Sequence, residues 1–130
     1  MGEQSGSCSC GAVTFLVTGP MREVVYCHCT QCRKQTGNYV GATRADDTQL
    51  HVEGADNITW YAASDEAQRG FCKICGSSLF WKRQQSDRTS IMAGTFDNPT
   101  NLKSGFHIYC ADKGDYYEIS DGLPQHPGAD

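Results

Sequence analysis

Seven of the eight cysteines fall into three tight groups: Cys8-Ser9-Cys10, Cys27-His28-Cys29-Thr30-Gln31-Cys32 and Cys72-Lys73-Ile74-Cys75. Thiolates at these spacings are metal ligands, because zinc takes four nitrogen or sulfur donors in a tetrahedron with Zn–S near ~2.3 Å. A Cys-x-x-Cys turn places two sulfurs on one edge of that tetrahedron, and Gly76 supplies the permissive backbone such a turn needs. Cys72 and Cys75 therefore require two further ligands, and Cys8 with Cys10 is the natural complement. Four sulfurs would close around one structural zinc and tie the first strand to the middle of the chain.

Cys27, Cys29 and Cys32 form a different kind of group, with three thiolates in six residues. Three protein ligands and one exchangeable position is the pattern of a reactive zinc. A thiol entering that position is deprotonated by direct coordination. Three thiolates and Zn²⁺ sum to one negative charge, so a nearby cation would help, and Arg33 and Lys34 follow Cys32 directly. These two are the expected substrate contacts, holding a carboxylate; the same side chains also read as a solvated face.

Several competing readings apply. Isolated Cys-x-x-Cys pairs serve redox chemistry, but no thioredoxin-like βαβ pattern surrounds these. Disulfides are disfavoured in a reducing compartment. The second cluster could be closed by His28, His107, Cys110 or water. Cys110 reads most simply as a small buried hydrophobe on a strand, and His51 and His126 as surface residues. Tetrahedral sulfur also suits iron.

The elements that must position these groups are mostly strands. The chain has 130 residues, 38% hydrophobic and 20% charged, and reads as a single domain over 1–130. Val13, Phe15 and Val17 alternate with Thr14 and Leu16, predicting a strand over about 12–18 that Gly19-Pro20 ends. Further strands are predicted at Val24-Val25-Tyr26, Tyr39 to Thr43, Gln49 to Val52, Ile58 to Ala62, Leu79-Phe80-Trp81, Ser90 to Ala93 and His107 to Cys110. Short strands punctuated by turn residues give an all-β domain. The one helical segment is Thr30 to Gln35, with Gly37 as its cap. The tail from Asp121 to Asp130 reads as irregular.

A net charge of −4 without a basic run argues against nucleic-acid or acidic-membrane partners. No apolar run approaches the ~20 residues of a membrane span. The polar start, Met1 to Ser7, lacks the features of a signal peptide, so the expected location is the cytoplasm.

Taken in order, Gly6-x-Cys8-x-Cys10-Gly11-x-Val13, Cys27-His28-Cys29-x-x-Cys32-Arg33-Lys34-x-x-Gly37, Arg69-Gly70-Phe71-Cys72-x-x-Cys75-Gly76-Ser77 and Ala93-Gly94-Thr95-Phe96-Asp97 resemble the glutathione-dependent formaldehyde-activating enzyme family, whose domain centromere protein V shares. The ending, from His107-Ile108-Tyr109 to Asp121-Gly122-Leu123-Pro124-Gln125, is similar too. The resemblance implies a β-tent fold with two zinc ions per chain. It implies that Cys8, Cys10, Cys72 and Cys75 hold the structural ion, and that Cys27, Cys29 and Cys32 hold the catalytic one. The implied activity is that of a carbon–sulfur lyase joining a glutathione-like thiol to a small aldehyde such as formaldehyde, reversibly. Cys110 stands where the family more often has an aliphatic residue. Candidates for the proton donor are His107, Tyr109 and solvent, and Gly37 and Gly94 would let backbone approach a ligand. Two other classes compete: an interaction module with two structural zincs, and a metal buffer or redox sensor that releases zinc on oxidation.

Overall fold

The computed structural model describes residues 2–129. Its strands are β1 (Gln4–Ser7), β2 (Thr14–Val17), β3 (Val24–Cys27), β4 (Val40–Asp46), β5 (Leu50–Glu53), β6 (Ile58–Ala62), β7 (Ala67–Cys72), β8 (Ser78–Arg83), β9 (Arg88–Met92) and β10 (Ser104–Ile108). A single α-helix, α1 (Thr30–Thr36), interrupts them. The fold is mainly β, as expected. Two strands carry no apolar signal and were not foreseen: β1, which reads QSGS, and the polar start of β7.

The strands make two sheets, β1-β2-β5 and β10-β3-β4-β9-β8-β7-β6. Every pairing of these strands is antiparallel except β10 with β3, which is parallel. A parallel neighbour needs a long crossover, and here the connection from β3 to β10 is the body of the domain itself.

Period-2 alternation gives each sheet one apolar face. Val13, Phe15 and Val17 of the small sheet and its approach meet Ala45, Phe80 and Ile91 of the large one in the main core, all at most 3% exposed. Phe15 packs edge-to-face on Phe80 and Phe96, with centroids 5.7 and 5.2 Å apart, an arrangement the ring quadrupoles favour. The other face of the large sheet carries a second, smaller cluster: Cys32, Val40, Ala42 and Met92, flanked by Cys27, Cys29 and Trp81. One face thus builds the core and the opposite face builds a site.

The C-terminal segment is irregular but tied down. Tyr109, Cys110 and Ala111 donate backbone hydrogen bonds to Gly128, His126 and Pro127, and His107 bridges to Gln125. Cys110 is not on a strand as expected: β10 ends at Ile108, and Cys110, itself half-buried, opens a 3₁₀ turn. Tyr109 takes the positive φ of 54° that makes this turn. Among the described residues no helix is long and apolar enough to cross a membrane.

Candidate metal centres and an adjoining cleft

Two sulfur clusters form, and they partition as the spacing predicts. Cys8, Cys10, Cys72 and Cys75 present sulfurs that all lie within 4.8 Å of one another. Cys8 to Cys10 is 3.6 Å and Cys10 to Cys72 is 3.8 Å. A tetrahedron with Zn–S of ~2.3 Å has edges of about 3.8 Å, so these sulfurs already stand at zinc spacing. The loop after β1 supplies one pair and the β7–β8 turn the other. Gly76, at φ 81°, closes that turn with its N–H on the Cys72 carbonyl at 2.8 Å. Backbone N–H groups point at the sulfurs: Val13 donates to Cys8 at 3.3 Å and Ile74 to Cys72 at 3.4 Å. Such donors offset the negative charge of buried thiolates. Bonds from the Ser77 hydroxyl and N–H hold the Cys75 thiol down to about 5.

The second cluster is Cys27, Cys29 and Cys32, again within 4.8 Å of one another. Cys27 ends β3. Cys29 is the N-cap of α1, extended at φ −67° and ψ 158°, with its sulfur accepting from the Cys32 N–H at 3.2 Å. Cys32 lies in the first helical turn and is buried. The helix ends at Gly37, left-handed at φ 91°, whose N–H bonds the Arg33 carbonyl at 2.8 Å, as a glycine C-cap should. Crowding splits the thiols: hydrogen bonds from Cys27 and Cys32 hold Cys29 down to about 2, while the same contacts push Cys27 far up. Three such sulfurs ionise together only around a cation. Each of the two clusters could bind a metal ion, and among the described residues no His, Asp, Glu or fourth Cys joins the trio.

The histidines suggested as closing ligands are engaged elsewhere. His28 Nδ1 is 2.6 Å from the Tyr117 hydroxyl, His28 Nε2 is 2.8 Å from His107 Nδ1, and His107 Nε2 is 2.8 Å from Asp121 Oδ2. The carboxylate can only accept, which sets the direction of the chain: Tyr117 donates to His28, His28 to His107, and His107 to Asp121. Both rings are buried, and Tyr39 and Tyr26 stack on them. This network ties Tyr117 and Asp121 to His28, which follows β3 within the trio's own stretch, and to His107 of β10.

All three sulfurs of the trio line a cleft of about 590 Å³ on the outer face of the large sheet. Its walls include Val40, Trp81 and Met92, and its cations are Arg22, Arg44 and Arg69. Arg33 and Lys34 are not among the lining residues. Arg33 is half-buried, its positive charge acting on Tyr117, and Lys34 is exposed. The cation that meets the trio is Arg69 of β7. It is 4% exposed, and its Nη2 donates to Cys32 Sγ at 3.2 Å and to Gln31 Oε1 at 2.9 Å. Sequence reasoning placed this charge on the residues adjacent to Cys32. No local pattern carries that signal, since Arg69 and Cys32 stand 37 residues apart and meet only in the fold.

Comparison with known proteins points the same way. Residues 3–112 match the family described as "Glutathione-dependent formaldehyde-activating enzyme". A Halomonas elongata protein named "Putative glutathione-dependent formaldehyde-activating enzyme" is 30% identical over 127 residues, covering 88% of this chain and 79% of that protein. A Schizosaccharomyces pombe protein named as an uncharacterized lyase is 27% identical over 121 residues, covering 92% and 88%. A crystal structure of a Rhodobacter sphaeroides protein superposes with a TM-score of 0.59 at 25% identity, covering 75% of this chain and 91% of that one.

Proposed function

The chain belongs to the glutathione-dependent formaldehyde-activating enzyme family, and from that membership and the geometry of its cleft we propose that it is a zinc-dependent carbon–sulfur lyase. The reaction is the reversible addition of a glutathione-like thiol to a small aldehyde such as formaldehyde. The sulfur–carbon bond forms, the carbonyl opens to a hydroxyl, and the proton lost from sulfur is balanced by one gained at oxygen. The observation that carries the reading is a three-sulfur cluster whose members all line one cleft.

Cys8, Cys10, Cys72 and Cys75 are the ligands of the structural ion in this reading, and Cys27, Cys29 and Cys32 those of the reactive one. Zinc held by the trio supplies a Lewis acid and an acidifying fourth position for a thiol. Arg69, against Cys32, neutralises the surplus thiolate charge. Val40, Met92 and Trp81 keep water from the reacting carbon. For the proton at oxygen the geometry favours Tyr109 over His107. Both ring nitrogens of His107 are committed to His28 and Asp121. Tyr109 instead lines the cleft, held there by a left-handed backbone that bulky residues rarely adopt.

The test is Cys29→Ser. Serine is a favoured N-cap, so α1 keeps its cap acceptor while the trio loses a sulfur. Two zincs per wild-type chain, one per variant, and catalysed thiol–aldehyde exchange in the wild type alone are expected. Equal exchange rates in wild type, variant and free solution would leave a zinc-bearing interaction module as the reading.

A further inference from the structure

The cleft has a second polar end that the addition chemistry leaves unused. Arg44 of β4 pairs in register with Ser90 of β9, Ser90 with Trp81 of β8, and Trp81 with Arg69 of β7. These four residues form one row across four adjacent strands, and all four line the cleft. Arg69 closes one end of the row through its bond to Cys32. Arg44 stands at the other end, three strand spacings or roughly 14 Å away.

Arg44 is half-buried, and among the described residues its guanidinium has neither an ion pair nor a hydrogen-bond partner; the Ser90 hydroxyl is also unpaired. The acid nearest in sequence, Asp46, lies 3.8 Å from Arg88 instead. Arg22 lines the same cleft, with Nη2 donating to the Ala42 carbonyl at 3.1 Å. Asp112, the one acid lining the cleft among the described residues, sits beside Tyr109. A guanidinium presents a planar fork of donors matched to a carboxylate, and here that fork and a free hydroxyl face the same space.

We propose that Arg44, with Ser90, is a subsite for a carboxylate carried by the substrate at a distance from its sulfur. The ligand lies along the row, its sulfur toward the trio and its acid at Arg44, with its middle over the Trp81 indole. Substrates would then be extended acidic thiols, and short neutral thiols would be poor ones. The identity of the sulfur end rests on the lyase reading; the acid end rests on the row alone.

The experiment is calorimetric binding of glutathione and of its diethyl ester, which lacks both carboxylates, to the zinc-loaded chain, with thiol–aldehyde exchange measured in parallel. Wild type is expected to prefer glutathione. Arg44→Met should weaken glutathione roughly ten- to a hundredfold, the range of a charge-assisted hydrogen bond, and leave the ester unchanged. Arg44→Lys should recover part of the loss, and Ser90→Ala should show a smaller loss confined to the acid. A wild type that does not distinguish acid from ester would overturn the proposal, as would an Arg44→Met loss equal for both. Acid-selective binding without exchange would remove the lyase reading and leave the subsite standing. Exchange that is intact and indifferent to Arg44→Met would remove the subsite alone.

Discussion

Replacing Arg69 by Met isolates the charge that the trio needs. The side chain is nearly buried and its Nη2 sits 3.2 Å from Cys32 Sγ. Opposite unit charges about 4 Å apart attract by about 4 kcal/mol at an effective dielectric near 20. Part of that is returned as the cost of desolvating the guanidinium. What remains should resemble a charged hydrogen bond, about 1.5–3 kcal/mol, or roughly ten- to a hundredfold in metal affinity at ~1.4 kcal/mol per decade. Partners of metal ligands elsewhere have effects of the same size. Methionine fills much of the same volume, and Gln31, which loses its partner, is exposed and can turn to water. The fold should therefore survive. Competition with a chromophoric chelator reads both ions in one titration, with the four-cysteine ion as internal reference. An ion held by the trio should bind more weakly in Arg69→Met, the four-cysteine ion should not move, and thiol–aldehyde exchange should fall with the first. Wild-type affinity at both ions in a folded variant would refute the charge argument.

Two further outcomes follow from the same geometry. Cys10→Ser should remove the enclosed ion and, with it, a crosslink between segments 62 residues apart; a covalent link closing a loop of that length is worth on the order of 4 kcal/mol, so denaturant unfolding should show a loss approaching that size, and an unchanged midpoint would contradict it. Burial first, and then the nearby positive charge of Lys113, hold His28 down to about 4 from its ordinary 6.5. The unfolded chain then takes up the proton before the folded one does. Stability present above pH 6.5 should drain as pH falls toward 4, by about 3 kcal/mol in total. Imidazole resonances of the zinc-loaded protein give the midpoint, and a value near 6.5 would count against the neutral relay.

The sulfur partition was legible because cysteine spacing encodes local geometry directly: Cys72-x-x-Cys75-Gly76 and Cys27-x-Cys29-x-x-Cys32 each describe one turn. The helix was legible from the same run, since Gly37 marks its end. The strands of the main core were legible where apolar residues alternate, as at Val13, Phe15 and Val17. What escaped depended on partners distant in sequence. QSGS becomes β1 only because β2 offers an edge, and Gly6 fits there only because it lacks a side chain, a Cβ being 2.4 Å from Phe15 Cζ. Arg69 meets Cys32 across 37 residues, a proximity no local pattern states. His107 looked like a candidate acid by residue type; it is withdrawn by His28 and Asp121, which sequence distance hid.

The two sulfur clusters differ in how they are anchored, and that difference argues for their different roles. The four-cysteine cluster draws its pairs from the small sheet and from the β7–β8 turn of the large one, so an ion there is inseparable from the docking of the two sheets, and binding free energy at such a site is folding free energy. An ion that exchanged ligands during a reaction would loosen that docking at each turnover. The trio comes from one six-residue stretch, is anchored through His28 within that stretch by the His28–His107 relay, and shares its cleft with the row from Arg69 to Arg44. An ion held there could gain and lose a ligand without undoing the contact between the two sheets. Strand alternation accounts for the rest: the parity that sends Phe80, Ile91 and Ala45 into the core sends Trp81, Ser90 and Arg44 to the opposite face. The cleft floor is therefore as rigid as the core beneath it, and the trio is the part of the molecule where coordination can change at least structural cost.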